Sequence, residues 1–131
     1  PKDLEAWTHL GHLYFDIGQP LEAIKAYEYS LTLDDKRPDV WTDLGVMYRR
    51  GGEPQKAVRT FEHALSLNRD HRIALYNKGI VLMHDLNDTQ GALAAWEHLL
   101  SIDPETKTPG GESLKSIVAQ LKRTASTESS K

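Results

Sequence analysis

The chain has 131 residues, a formal net charge of −3 and an isoelectric point near 6.1. Its 39% hydrophobic and 27% charged residues suit one folded unit, and the acidic balance argues against a broad basic nucleic-acid footprint. No apolar run reaches the roughly 20 residues that cross a bilayer, so no direct membrane insertion is expected of it. The absence of cysteine excludes disulfides, thiol catalysis and thiolate metal sites. It leaves the compartment of this soluble domain open, cytoplasmic or periplasmic. The chain begins at Pro1 rather than Met, which reads as a fragment or a processed form.

From the N-terminus, Leu4, Trp7, Leu10, Gly11 and Tyr14 recur at helical spacing. Gly18 breaks the run and Pro20 restarts it, since proline suits a first helical position, where its missing N–H has no partner to lose. Ala23, Ile24, Tyr27, Leu31 and Leu33 give the second helix. Residues 40–50 form the third, Gly51-Gly52 the break, and Ala57, Val58, Phe61, Ala64, Leu65 and Leu67 the fourth. A fifth helix is predicted over 72–85. Asn87-Asp88 supplies a cap for a sixth, with Ala92, Leu93, Trp96, Leu99, Leu100 and Ile102. Thr108-Pro109-Gly110-Gly111 interrupts the pattern, and Leu114, Ile117, Val118 and Leu121 form one stripe of a seventh helix. The Ser/Thr-rich stretch 124–131 has no periodicity and is expected to be disordered.

These helices repeat as pairs. Trp7-x2-Leu10-Gly11-x2-Tyr14 returns as Trp41-x2-Leu44-Gly45-x2-Tyr48, 34 residues later, and Leu75 with Gly79 continues the register. Ala23/Tyr27, Ala57/Phe61 and Ala92/Trp96 mark the second helices, the last 35 residues after its predecessor. That extra residue is expected in the turn at 85–90, since loops absorb insertions cheaply. On these residues the chain resembles the tetratricopeptide repeat family over 4–104. Pro104 alone keeps the closing proline; Leu75, Lys78 and Leu82 replace the tryptophan, leucine and tyrosine of the third copy. The resemblance implies an all-α, right-handed α-solenoid of three helix-turn-helix repeats plus a C-terminal capping helix. The repeat domain is expected over 1–123, with repeats at about 4–37, 38–71 and 72–106 and the cap at about 110–123. Small Gly and Ala at fixed positions admit close helix approach, and the aromatics are expected to fill the core between layers.

Catalysis finds no support. Nucleophile elbow, phosphate loop, dinucleotide glycine motif and HExxH are all missing, so neither an enzyme nor a cofactor is expected. His9, His12 and Asp43 include ligand types for zinc, but i, i+3 spacing without a second ligand pair favours solvated or groove-lining histidines, and no metal is assigned. Glu62-His63 and Glu97-His98 occupy matching repeat positions and read as duplicated surface pairs.

In the resembled family the first helices of the repeats line a concave groove that receives a peptide or a partner helix. Carried over by register, the expected groove is Glu5, Thr8, His9, His12 and Phe15 from the first repeat. Asp39, Thr42, Asp43, Val46, Arg49 and Arg50 follow from the second, and Ile73, Tyr76, Asn77, Ile80, Met83 and His84 from the third. Phe15, Val46, Tyr76, Ile80 and Met83 are too apolar for a fully solvated strip. The lysines of a chaperone-tail carboxylate clamp are missing: Thr8, His12, Asp43, Ile73 and Asn77 stand there. Glu5, Asp39 and Asp43 at one end and Arg49 and Arg50 at the other suit a ligand with a basic segment followed by an acidic one. The expected function is a non-catalytic scaffold binding a protein or peptide. The alternatives are a homo-oligomer whose groove is filled by another copy, and a regulatory or targeting domain of an enzyme. The stretch 91–121 is also similar to the end of periplasmic cytochrome c assembly repeat domains, which bind a protein tail.

Overall fold

Proline opens three of the helices, at Pro20, Pro38 and Pro54, each in the first turn. The computed structural model describes residues 3–129. It is an all-α helical repeat solenoid: α1 Leu4–Asp16, α2 Pro20–Leu33, α3 Pro38–Arg50, α4 Pro54–Leu67, α5 Arg72–Ile80, α6 Thr89–Ile102 and α7 Leu114–Ser129. Each helix packs chiefly on its neighbours in sequence, so the chain is built from local contacts.

The first helices of the pairs end alike. Gly18 (φ 77°) and Gly52 (φ 84°) take the left-handed conformation just past α1 and α3. The amides of Gln19 and Glu53 then reach back to the carbonyls of Tyr14 and Tyr48 at 2.9 Å each. Asn87 (φ 54°) does the same after the third copy, the side chain best tolerated there after glycine. Asp88 caps α6, its Oδ1 accepting from the Gly91 amide at 2.9 Å.

The extra residue of the third repeat lies inside the helix, not in the turn. Residues Val81–Asp85 form a π-helical turn continuing α5, and the Leu86 amide reaches the Val81 carbonyl five residues back at 3.1 Å. In the second repeat the matching bond, Gly51 to Met47, spans four. A single inserted residue in a helix is accommodated this way when flanking side chains must keep their faces. Val81 and Leu82 are buried here and hold that register.

Close approach between paired helices rests on three glycines. A Cβ at Gly11 would lie 2.5 Å from the Tyr27 ring, at Gly45 2.5 Å from Phe61, and at Gly79 2.0 Å from Trp96. Tyr27, Phe61 and Trp96 are buried, as the repeat pattern predicts. Trp7 and Trp41 are half-buried rather than fully enclosed, and Trp41 packs against the first core cluster. Trp7 tilts on Tyr29 (4.6 Å between centroids) and Trp41 on His63 (4.1 Å). Trp41 donates from Nε1 to the Asp35 carbonyl at 2.7 Å. Two apolar clusters form the core: one centred on Tyr27, Met47 and Phe61, the other on Trp96, Leu99, Leu114 and Val118.

The last helix also differs from expectation. It starts at Leu114 rather than about 110 and continues to Ser129 instead of stopping at 123. The residues before it form a tight turn, in which Thr108 donates its amide to the Glu112 carbonyl at 2.8 Å and Leu114 to Thr106 at 3.0 Å. Ser and Thr lower helix propensity only slightly, and a helix already docked through Leu114 and Val118 propagates through them. Pro1, Lys2 and the last two residues of the expected tail, 130–131, lie outside the described residues.

Candidate functional site

Three contacts set α1, α3 and α5 side by side. His12 Nε2 on α1 lies 3.1 Å from Asp43 Oδ2 on α3. Arg49 on α3 donates from Nε to Asp85 Oδ2 at 2.7 Å and from a terminal nitrogen to Oδ1 at 3.3 Å, tying α3 to the π-helical turn. The Arg50 guanidinium lies 4.6 Å over the Phe15 ring, tying α3 to α1. The first helices thus share one face, and the residues between these contacts form its floor.

Along that face Glu5 and Asp39 are exposed, and Val46, Ile80 and Met83 are half-buried against the core. Ile73 is 60% exposed. Tyr76 is half-buried, its ring stacked 6.4 Å from Trp96. Asn77 turns its side-chain amide onto the Ile73 carbonyl at 2.8 Å, so its donor is partly spent. His9 and His84 are exposed. Among the described residues no group of three or more His, Asp or Glu gathers as a metal would need.

Two expected groove residues are placed elsewhere. Thr42 is 1% exposed, its hydroxyl donating to the Pro38 carbonyl at 2.8 Å. Thr8 belongs to a polar cluster between helices: its hydroxyl lies 2.5 Å from that of Ser30, and Arg37 donates to it at 2.9 Å. Arg37 also donates to the Ser30 hydroxyl at 2.7 Å and the Ser30 carbonyl at 2.9 Å. The Thr8 hydroxyl is thus engaged by the paired helix α2 and the Thr42 hydroxyl by its own helix.

Asp43 has the most distinctive electrostatics of the face. Burial pushes its carboxyl above the ordinary carboxylate range; His12 and His71 oppose the shift and Asp39 adds to it. Beneath it Tyr27 is fully buried, its hydroxyl raised by burial and by the nearby Asp43 and Asp16 carboxylates. The acidic end is therefore a concentrated negative field on an apolar floor. At the third-repeat end, the turn after α6 folds toward α5. A cavity of about 480 Å³ opens there between Ile73, Tyr76, Leu99 and the turn residues Lys107, Thr108 and Pro109. Burial and Glu112 raise the Tyr76 hydroxyl. These turn residues and Asp85 were not expected at the groove. They lie outside the repeat register, so periodicity carries no signal for them.

The opposite side of the array is held by a column of glutamates. Glu28 accepts from the Tyr48 hydroxyl, Glu62 lies 3.4 Å from Lys78 and Glu97 2.5 Å from Lys122. Each joins a second helix to the helix that follows it. His98 lies 3.0 Å from Asp70 of the preceding repeat, and His63 lies against Trp41 within its own repeat.

Comparison with known proteins agrees with this architecture. Two tetratricopeptide repeat models match, one over residues 4–37 and the other over 38–71, together just over half of the chain. A crystal structure of MamA superposes with TM-score 0.75 at 29% identity over 79% of this chain; the chain spans 60% of the MamA chain. The first repeat domain of Spaghetti (RPAP3), solved with the HSP90 peptide SRMEEVD, gives 0.83 at 20% identity over 95% of this chain and 94% of its own. The Sgt2 repeat domain from Aspergillus fumigatus gives 0.83 at 18% identity over 100% of this chain and 84% of its own. No curated protein matches at a significant level. With two matched repeats, glycine–aromatic packing at each helix pair and a shared face of first helices, the chain belongs to the tetratricopeptide repeat family.

Proposed function

We propose that the groove along α1, α3 and α5 binds a peptide or partner helix carrying a basic segment beside an apolar one. Family membership supports the coarser part of this reading, a protein-interaction module, since stacked helix pairs present extended concave binding surfaces. The observation that carries the finer part is the juxtaposition of Glu5, Asp39 and the half-buried Asp43 with the apolar strip Val46, Ile80 and Met83. A lysine or arginine beside Asp43 would relieve the cost of holding that carboxylate away from water, and apolar anchors would cover the strip. Arg49 and Arg50 keep a positive end, although Asp85 and the Phe15 ring already engage them.

The Spaghetti domain was solved with the acidic HSP90 peptide SRMEEVD; in this chain the face of the first helices is acidic where a carboxylate clamp needs lysine. The test follows from that contrast. Fluorescence anisotropy would compare a labelled amphipathic peptide with a basic first half against SRMEEVD. The basic peptide is expected to bind at least about tenfold tighter, and Asp43→Lys to remove that preference. An unchanged affinity in Asp43→Lys, or tighter binding of SRMEEVD, would sink the assignment.

A further inference from the structure

A cavity of about 410 Å³ opens between α2 and α3, on the side of the glutamate column. The buried Leu31 and Leu44 line its floor, and the half-buried Trp41 indole lines one wall. Glu28 and Asp35, both exposed, stand at its rim. The buried Tyr48 hydroxyl donates to Oε2 of Glu28 and leaves Oε1 for another donor. Burial and Glu28 itself raise that hydroxyl, so it stays a donor at neutral pH. Glu28, Glu62 and Glu97 share one repeat register, and the other two show what such a position takes. Glu62 lies 3.4 Å from the Lys78 ammonium and Glu97 2.5 Å from that of Lys122. Lys78 stands at the register of Leu44; its side chain is only 24% exposed, so its stem is covered while its head is paired. Where the chain supplies that lysine, Leu75 replaces the tryptophan; where it keeps Trp41, Leu44 replaces the lysine. Among the described residues no ion pair joins Glu28 to a lysine or arginine, and the Lys56 ammonium lies instead over the Tyr48 ring, 4.7 Å from its centroid. Asp35 is engaged only loosely, by its neighbour Lys36 at 3.8 Å.

We propose that this cavity receives a lysine side chain of a partner protein, its stem along Leu31, Leu44 and Trp41 and its ammonium on Glu28. The chain's own lysines define the occupant, since Lys78 and Lys122 meet the equivalent glutamates. An aliphatic stem with a charged head matches an apolar floor with a carboxylate at the rim. The Trp41 indole adds attraction for the cation, and Asp35 a second carboxylate. Arginine fits less well. Its planar fork gains most from two free carboxylate oxygens, and Tyr48 already holds one of those of Glu28. The site lies away from the Asp43 face, so it stands independently of what the groove binds.

The three indole N–H groups of the chain make the site readable in nitrogen–proton correlation spectra, with Trp41→Phe assigning its own signal. The probe is Nα-acetyl-lysine N-methylamide, and the control its norleucine analogue, which keeps the stem without the ammonium. Trp41 reports the cavity and Trp96, stacked on Tyr76, reports the groove. The lysine amide is expected to shift Trp41 saturably, with a Kd of about 10 mM or tighter, and the norleucine amide to leave it in place. Glu28→Gln keeps an acceptor for Tyr48 but removes the charge, and should weaken binding about five- to tenfold. Leu44→Lys supplies the chain's own ammonium, as Lys78 does one repeat on, and should abolish the shift in a chain whose urea unfolding shows it folded. Asp43→Asn should leave the Trp41 titration unchanged. The proposal is overturned by a Trp41 signal that does not move below about 100 mM lysine amide. An equal shift with the norleucine amide, or an unchanged Kd in Glu28→Gln, overturns it as well. So does a response of Trp96 alone, which assigns the cation to the groove.

Discussion

Replacing Gly79 by alanine sets helix propensity directly against packing. On propensity alone the change should stabilise α5 by up to about 1 kcal/mol. The added Cβ, however, would lie 2.0 Å from Trp96 Nε1 and 2.4 Å from its Cε2. Trp96 is 3% exposed and packed within the second core cluster. Overpacking of this kind costs about 1–3 kcal/mol. Any shift of the indole also weakens its 3.1 Å bond to the Tyr76 carbonyl, worth about 1 kcal/mol. Packing wins, with a net loss of about 1–3 kcal/mol and a fall in melting temperature of about 3–10 °C for a chain of this size. The assay is thermal and urea unfolding followed by circular dichroism, with Gly110→Ala as the control. At Gly110 the nearest contact to an added Cβ is 3.7 Å, and a change within about 0.5 kcal/mol is expected. Because Tyr76 stacks on Trp96, peptide affinity should fall with stability. A Gly79→Ala chain melting at or above the parent would refute the argument that the glycine is required by the aromatic beneath it.

Arg37→Ala should destabilise by about 1–3 kcal/mol, since it strips two bonds from the fully buried Ser30 and one from Thr8. Urea unfolding checks it, and a Ser30→Ala/Arg37→Ala pair should cost less than the sum of the singles, as for groups in one network. Asp43→Asn has the opposite sign. Because burial raises the Asp43 carboxyl, the unfolded chain gives up that proton first, and stability falls as pH rises from the ordinary carboxylate range through the folded value. The variant should therefore melt higher than the parent at neutral pH and lose this part of the pH dependence. A lower melting point at neutral pH would mean that the His12 contact outweighs burial.

The sequence was most legible where a residue's neighbours lie one repeat away. Gly11, Gly45 and Gly79 under their aromatics and Pro20 and Pro54 at helix starts follow from spacing, because the contacts that decide them recur every 34 residues, and Asp88 as a cap follows from its residue type just ahead of α6. The half-burial of Trp7 and Trp41 did not follow, since the same motif position can face a filled layer or an open edge. The inserted residue was visible as a count of 35, but its place in the Val81–Asp85 turn depends on which side chains the core grips, and Val81 and Leu82 are gripped. Register put Asp43, Val46, Ile80 and Met83 on the shared face of the first helices. It misplaced Thr8 and Thr42, whose hydroxyls are engaged within the helix layers.

By itself the sequence determined the helix pairs, their period and their family, because local spacing and glycine–aromatic complementarity are repeated often enough to leave one reading. Tertiary structure alone decided which charges are already engaged: His12 with Asp43, Arg49 with Asp85, Arg50 over Phe15 and Arg37 inside the polar cluster. It also decided which glutamates of the outer column meet a lysine, Glu62 and Glu97. Both depend on how the repeats are stacked and on what lies across each interface, which the spacing of residues along one helix does not encode.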